Sequence, residues 1–235
     1  MKNTILLLAG YPGTGKSYMA NMLIKRFPEF ELLSPDQIKE KNWDKYGFAD
    51  LNEKEKLILL SWDEYYKAME NMMKSGHSVL SDYPFSIKQK DNIAKRSSQY
   101  DFQTVTIRLT GDLEILYQRQ AKRDLDPKRH PGHVMRCYRK SDAPIMRNDA
   151  DNLLSHAEFI KRCTERGYGS FSLGRTIEID VTDFSKIDYE KLYAELDEIL
   201  EVTNSCAHSG SGFFLVRVHQ PDTAFSAGYD PVFKI

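Results

Sequence analysis

The chain has 235 residues, enough for one α/β domain with a substantial core and a small appendage. Hydrophobic residues make up 41% and charged residues 29%, the balance of an ordinary globular protein, and a formal net charge of −1 supplies no global positive field for nucleic acid or anionic membranes. Cys137, Cys163 and Cys206 are far apart and form no CxxC pair, which argues against a disulfide framework or a zinc ribbon. No apolar stretch has the length of a signal peptide or a membrane span, so a reduced, cytoplasmic setting with no membrane contact is expected.

Ile5 to Ala9 is a continuous apolar run, the pattern of a parallel strand buried on both faces. Met19, Met22, Leu23 and Phe27 then recur at helical spacing until Pro28 stops the helix. Phe30 to Leu33 predicts a short second strand ending at Ser34-Pro35-Asp36. Asn52 with Glu55 has capping-box spacing and opens a long helix through Leu59, Trp62, Tyr66, Met69 and Met73 to Gly76. Ser78 to Ser81 predicts a third strand ending at Asp82, followed by a polar helix from about Ser86 and a fourth strand from Phe102 to Leu109.

Gly111-Asp112 opens a helix over Leu113 to Arg123. Asp149 to Arg166 reads as helical, with Leu153, Ala157, Ile160 and Cys163 on one face. Ile177 to Val181 predicts a fifth strand and Tyr189 to Val202 a last amphipathic helix. Strands alternating with helices imply right-handed crossovers and a doubly wound parallel sheet. The expected organisation is one domain over residues 1–202, and a Ser-, Gly- and His-rich extension of unassigned role over 203–235 with one apolar run, Phe213 to Val218.

Gly10-Tyr11-Pro12-Gly13-Thr14-Gly15-Lys16-Ser17 fits G-x-x-x-x-G-K-[ST], the Walker A phosphate loop, and sits between a buried strand and a helix as that motif requires. Glycines let backbone N–H groups curl around phosphate oxygens, and the following helix adds its positive end. Lys16 is expected on the β- and γ-phosphates and the Ser17 hydroxyl on Mg²⁺, with Gly10 to Tyr18 as the nucleotide-binding segment.

Ligands of open parallel sheets bind outside the carboxyl ends of the strands, where Asp36 and Asp82 fall. Asp36 is placed either to take a proton from a hydroxyl attacking the γ-phosphate or to cap a helix. Asp82 ends a Walker B-like strand and is a candidate magnesium ligand or a strand-ending turn residue. Tyr83 and Pro84 follow it in place of a water-activating Glu, which favours transfer to a bound hydroxyl over hydrolysis.

Arg119 to Lys140 holds eight Lys or Arg and two Asp, a local excess of +6. Arg119 and Arg123 lie one helical turn apart and suit either a lid over the phosphates or a solvated cationic face. Arg129-His130-Pro131-Gly132-His133 is a tight turn that either contacts substrate or is a plain loop. Trp43, Tyr46 and Phe48 are candidates for core or for an acceptor pocket near Asp36.

Together, the loop from Gly10 to Ser17, Asp36, Asp82 and the pair Arg119 and Arg123 resemble the small P-loop kinases, such as gluconate kinase, chloramphenicol phosphotransferase, zeta-type toxins and the polynucleotide 5′-kinase domain. The segment from Lys128 to His133 also resembles a lid sequence in one branch of ATP-binding kinases. The resemblance covers about residues 1–202 and implies a P-loop NTPase fold. That fold is a three-layer α/β/α sandwich whose five-stranded parallel sheet has the phosphate-loop strand in the middle, with a helical lid over about 119–140. It implies Asp36 as base, Asp82 as magnesium support and Arg119 and Arg123 as lid arginines. The strand from Ile177 to Thr182 resembles the one whose following loop lies beside adenine. Relatives often carry Arg three residues after the base, where this chain has Lys39.

The expected activity is transfer of the γ-phosphoryl group of ATP, with Mg²⁺, to a hydroxyl of a small molecule. Two alternatives stay open: a polynucleotide 5′-hydroxyl kinase, and an ATPase or nucleotide switch acting through protein partners, an antitoxin-like partner among them.

Overall fold

The computed structural model describes residues 3–141 and 150–201. The extension over 203–235 lies outside the described residues. Five strands, β1 (Thr4–Gly10), β2 (Phe30–Leu32), β3 (Ser78–Asp82), β4 (Gln103–Thr110) and β5 (Arg175–Asp180), form one sheet in the order β2-β3-β1-β4-β5. Every pairing is parallel. Among the described residues seven α-helices accompany it: α1 (Lys16–Arg26), α2 (Pro35–Tyr46), α3 (Leu51–Lys74), α4 (Ile87–Gln99), α5 (Leu113–Asp124), α6 (His156–Glu165) and α7 (Tyr189–Glu201).

All seven residues of β1 are buried, and their alternation divides the core in two. Leu6 and Leu8 face a layer built on Met19, Leu23, Phe159 and Leu196 from α1, α6 and α7. Ile5, Leu7 and Ala9 face Tyr65, Met69, Met73 and Ile93 from α3 and α4. A strand covered on both sides has no polar face to present, which explains the unbroken apolar run. Each such buried side chain contributes about 1.5–3 kcal/mol relative to exposure. A third cluster, Trp43, Phe48 and Tyr138, joins α2 to the segment after α5.

The register lines up the ends that matter: Leu8 is opposite Asp82 and Gly10 opposite Leu109. Gly10 has φ 112, and a Cβ there would lie 1.9 Å from Leu109 O, so only glycine lets β1 leave the sheet at this point.

Two local readings change. The long helix begins at Leu51 and is capped by Asp50, whose Oδ1 accepts from the N–H groups of Asn52 and Glu53, both at 2.8 Å. Asp50 is in extended backbone two residues before Asn52 and takes the cap first. The helix expected over 149–166 is confined to His156–Glu165, Asp149 itself lying outside the described residues. Ahead of it the chain is spent on other partners: Asn152 N–H donates to Val134 O and Asp151 accepts from Arg136 N–H. Ser155 then caps the helix, leaving Leu153 before it and exposed.

Candidate active site

Between β1 and α1 the phosphate loop turns on two further left-handed glycines, Gly13 at φ 81 and Gly15 at φ 79. A Cβ on Gly13 would lie 2.3 Å from Leu116 O on α5, so glycine is required for close approach as well as for the turn. Helix α1 begins at Lys16, leaving its first N–H groups with no earlier helical carbonyl and aimed at the loop. Lys16 Nζ donates to Tyr11 O at 2.6 Å, Thr14 Oγ1 at 3.1 Å and Gly10 O at 3.3 Å. Burial pushes the Lys16 ammonium down to about 7, Arg123 acts in the same direction, and Asp82 and Asp36 oppose them. Tyr11 points its hydroxyl to Gly169 in the turn at Tyr168–Ser170, and Tyr18 is exposed on α1.

Ser17 Oγ donates to Asp82 Oδ2 at 2.7 Å. The other carboxylate oxygen, Asp82 Oδ1, is buried without a hydrogen-bond partner. Burial raises the pKa of this carboxyl, with Asp36 adding to the effect while Ser17, Ser34 and Lys16 oppose it. An anionic oxygen buried beside a hydroxyl is costly in isolation and is the donor set a hard divalent cation takes. The residues present therefore fit magnesium.

Asp36 is the second residue of α2, directly past β2, so its side chain stands at the helix N-terminus beside the phosphate loop. It accepts from Lys39 Nζ at 3.0 Å, and Lys39 also donates to Tyr83 Oη at 3.0 Å while lying 4.1 Å from the centre of that ring. Burial alone would raise the Asp36 carboxyl, but Lys39 first, then His133 and Arg129, hold it well below the ordinary carboxylate range. It stays ionised.

The two arginines of α5 have different surroundings. Arg119 donates to Val181 O at 2.6 Å and to Thr182 O at 2.7 Å, and its guanidinium lies 4.1 Å over the Phe184 ring. Phe184 also borders Gly15, so Arg119 fastens the loop after β5 to the base of the phosphate loop. Arg123, by contrast, is exposed, and its charge acts to lower both Lys16 and Arg129.

The segment after α5 is seated on α2 and α3. Gly132 N–H donates to His130 Nδ1, which leaves Nε2 to donate to Asp44 at 3.0 Å. Asp44 also accepts from Tyr138 Oη and Lys140 Nζ, each at 2.7 Å. His133 donates to Glu40 at 2.7 Å, Lys54 donates to Met135 O at 3.0 Å, and Phe48 pairs antiparallel with Tyr138. Gly132 lies against Trp43, where a Cβ would come within 2.3 Å of the indole. Trp43 and Phe48 are thus core of this junction, while Tyr46 is exposed.

The structure brings Lys16, Ser17, Asp82, Asp36 and Arg123 together and puts Arg119 on the β5 side. Lys39 and Tyr83 around Asp36, and Arg129, stood in stretches the sequence singles out, yet only the spatial pairing shows what they face. A cavity of about 560 Å³ lies elsewhere, between β5 and α7.

Residues 5–142 match the family model described as an AAA domain. The chain belongs to the AAA domain family. Its fold is also that of a kinase candidate from Chloroflexus aurantiacus, with a TM-score of 0.66 at 21% identity over 84% of this chain and 98% of that one. Weaker likenesses reach a gluconokinase from Sinorhizobium meliloti 1021 (TM-score 0.48, 14% identity, 88% and 98% covered). Another is the APS kinase of Mycobacterium tuberculosis (TM-score 0.49, 14% identity, 85% and 98% covered). No curated protein matches the chain by sequence. The likeness to the C. aurantiacus protein holds at the level of fold for this AAA domain protein.

Proposed function

We propose that this AAA domain protein is a kinase that transfers the γ-phosphoryl group of ATP, with Mg²⁺, to a hydroxyl of a small molecule. The observation that carries the reading is the convergence of an ionised Asp36 with Lys16 and the Ser17–Asp82 pair at the carboxyl ends of β1, β2 and β3. A loop that grips phosphates needs no second carboxylate on its acceptor side unless a hydroxyl is to be oriented there. The description of the C. aurantiacus protein as a kinase is in keeping with this.

The residues divide the work. Backbone N–H groups from Gly13 to Tyr18 cradle the phosphates, and Lys16 exchanges loop carbonyls for phosphate oxygens. Ser17 and Asp82 would hold magnesium, which neutralises charge on the β- and γ-phosphates when bound. Asp36 accepts the hydroxyl's hydrogen bond and fixes the nucleophile in line. The oxygen–phosphorus bond forms as the bond to the bridging β–γ oxygen breaks, the hydroxyl proton passes to Asp36, and ADP leaves.

A carboxylate held this acidic is a weak base. In a loose transition state the proton is lost late, so positioning outweighs proton affinity. Arg123 faces the charge on the moving group. Arg119, through Val181, Thr182 and Phe184, holds the wall beside which the nucleobase is expected.

The test is γ-labelled ATP and Mg²⁺ with a panel of alcohols, sugars, nucleosides, antibiotics and 5′-hydroxyl oligonucleotides, using Lys16→Ala as control. Label in one acceptor class, absent in the control, supports a kinase and names its substrate; label only in 5′ ends favours the polynucleotide alternative. Free phosphate regardless of acceptor contradicts the proposal and favours an ATPase or switch.

A further inference from the structure

Tyr83 is the first residue past β3 and directly follows Asp82, yet phosphate binding gives it no task. Its backbone N–H donates to Leu8 O at 3.1 Å, which extends the β1–β3 ladder, and its carbonyl accepts from Phe85 N–H at 2.7 Å across Pro84. Its ring meets Trp62 of α3 edge to face at 5.0 Å and Phe85 at 5.7 Å. The Lys39 ammonium lies 4.1 Å from the centre of that ring and donates to Oη at 3.0 Å. Backbone and ring are fixed, and the hydroxyl is tied through Lys39 to Asp36.

That hydroxyl has a proton to give. A phenol both accepts and donates; Tyr83 Oη accepts from Lys39, and among the described residues no atom takes its own O–H. Asp36 is complementary: Oδ1 accepts from Lys39 at 3.0 Å, whereas Oδ2 receives no hydrogen bond from a described side chain. The Lys39 side chain is 7% exposed against 28% for Asp36, so the ammonium joins the two groups from behind. Packing against Trp62 and Phe85 uses the ring alone, and Asp36 already neutralises Lys39, so neither accounts for the hydroxyl.

The geometry points to Tyr83 as a specificity-determining residue whose O–H binds an oxygen on the carbon next to the one bearing the attacking hydroxyl, so that the acceptor is a vicinal diol. The inference rests on the proposed kinase reading and deepens it. The attacking hydroxyl donates to Asp36 Oδ2 and the neighbouring oxygen accepts from Tyr83. Two groups that share one ammonium, each 3.0 Å from it, are close enough for oxygens on adjacent carbons to bridge. A single alcohol, once it has displaced water, leaves the Tyr83 O–H without a partner, and that loss falls on transfer.

The experiment measures transfer of γ-label from ATP–Mg²⁺ to paired acceptors that differ in the adjacent oxygen. The pairs are glycerol against 1,3-propanediol, cis-1,2-cyclohexanediol against cyclohexanol, and cis-tetrahydrofuran-3,4-diol against 3-hydroxytetrahydrofuran. Any acceptor labelled in the wider panel is set against its own analogue lacking that oxygen. The wild type is expected to favour the diol by about 10- to 100-fold in kcat/KM. Tyr83→Phe keeps the ring against Trp62 and Phe85 and removes only the O–H, so it should lower kcat/KM for the diol and bring the ratio toward one.

A tyrosine that only stabilises the end of β3 would lower both members of a pair alike and leave the ratio where it was, with the loss visible in urea unfolding. A wild-type ratio near one overturns the inference, as does an undiminished ratio in Tyr83→Phe. Label in the single alcohols alone removes the inference and leaves the kinase reading standing. Free phosphate with label in neither member of any pair contradicts that reading, and the inference falls with it.

Discussion

Lys16 provides a prediction that needs no knowledge of the acceptor. Burial beside Arg123 lowers its ammonium to about 7, so at pH 8 the side chain is mostly neutral before nucleotide arrives. A bound phosphate is an opposite charge in direct contact and returns the group to its cationic form. With a starting pKa of about 7, binding should take up about 0.9 of a proton at pH 8 and about 0.1 at pH 6. The sign follows from the direction of the shift: the proton is bound more tightly in the complex, so Lys16 weakens affinity by about tenfold on going from pH 6 to pH 8.

The nucleotide's own titration does not mimic this. A phosphate with a second pKa near 6 is fully ionised at pH 8 and releases nothing there. Calorimetric titration with a non-hydrolysable ATP analogue and Mg²⁺, in buffers of different ionisation enthalpy, reads the uptake as the slope of apparent enthalpy against buffer enthalpy. A slope near zero at pH 8 would refute the reasoning about Lys16.

Three further outcomes test the surroundings. Asp82→Asn should remove most of the gain in nucleotide affinity that Mg²⁺ brings while leaving metal-free binding intact; an undiminished Mg²⁺ effect would exclude the Ser17–Asp82 site. Gly13→Ala sets a Cβ 2.3 Å from Leu116 O at φ 81, and should cost about 1–3 kcal/mol in urea unfolding together with nucleotide binding, neither of which would change if the loop can yield. Lys54 is 7% exposed and burial lowers it to about 8, so its charge opposes folding at pH 7. This cost is present below pH 8 and fades as pH rises toward the unfolded value, so the stability difference between wild type and Lys54→Met should move toward wild type by about 3 kcal/mol between pH 7 and pH 11, and a pH-independent difference would contradict it.

The sheet was legible because burial on both faces leaves an unmistakable run in β1 and because turn residues punctuate every crossover. The phosphate loop was legible because its glycines answer local demands: the left-handed backbone at Gly13 and Gly15 is a property of those residues alone. What escaped depends on partners far away in sequence. Leu153 continues a helical period, yet Asn152 and Asp151 are engaged with Val134 and Arg136, and no periodicity shows that. Arg119 and Arg123 look equivalent one turn apart, but the carbonyls of Val181 and Thr182 claim the first. The seating of His130 and His133 on Asp44 and Glu40 spans 86 and 93 residues and is visible only in three dimensions.

The measurement that tests the central claim most directly is the fate of γ-label in wild type and Asp36→Asn at saturating ATP, with transfer to acceptor and release of phosphate counted in the same reaction. The account predicts label in a hydroxyl of the wild-type acceptor, and in Asp36→Asn a loss of transfer by about 10²–10⁴-fold at unchanged ATP affinity. Equal transfer by both proteins, or label found only as free phosphate in both, would contradict it.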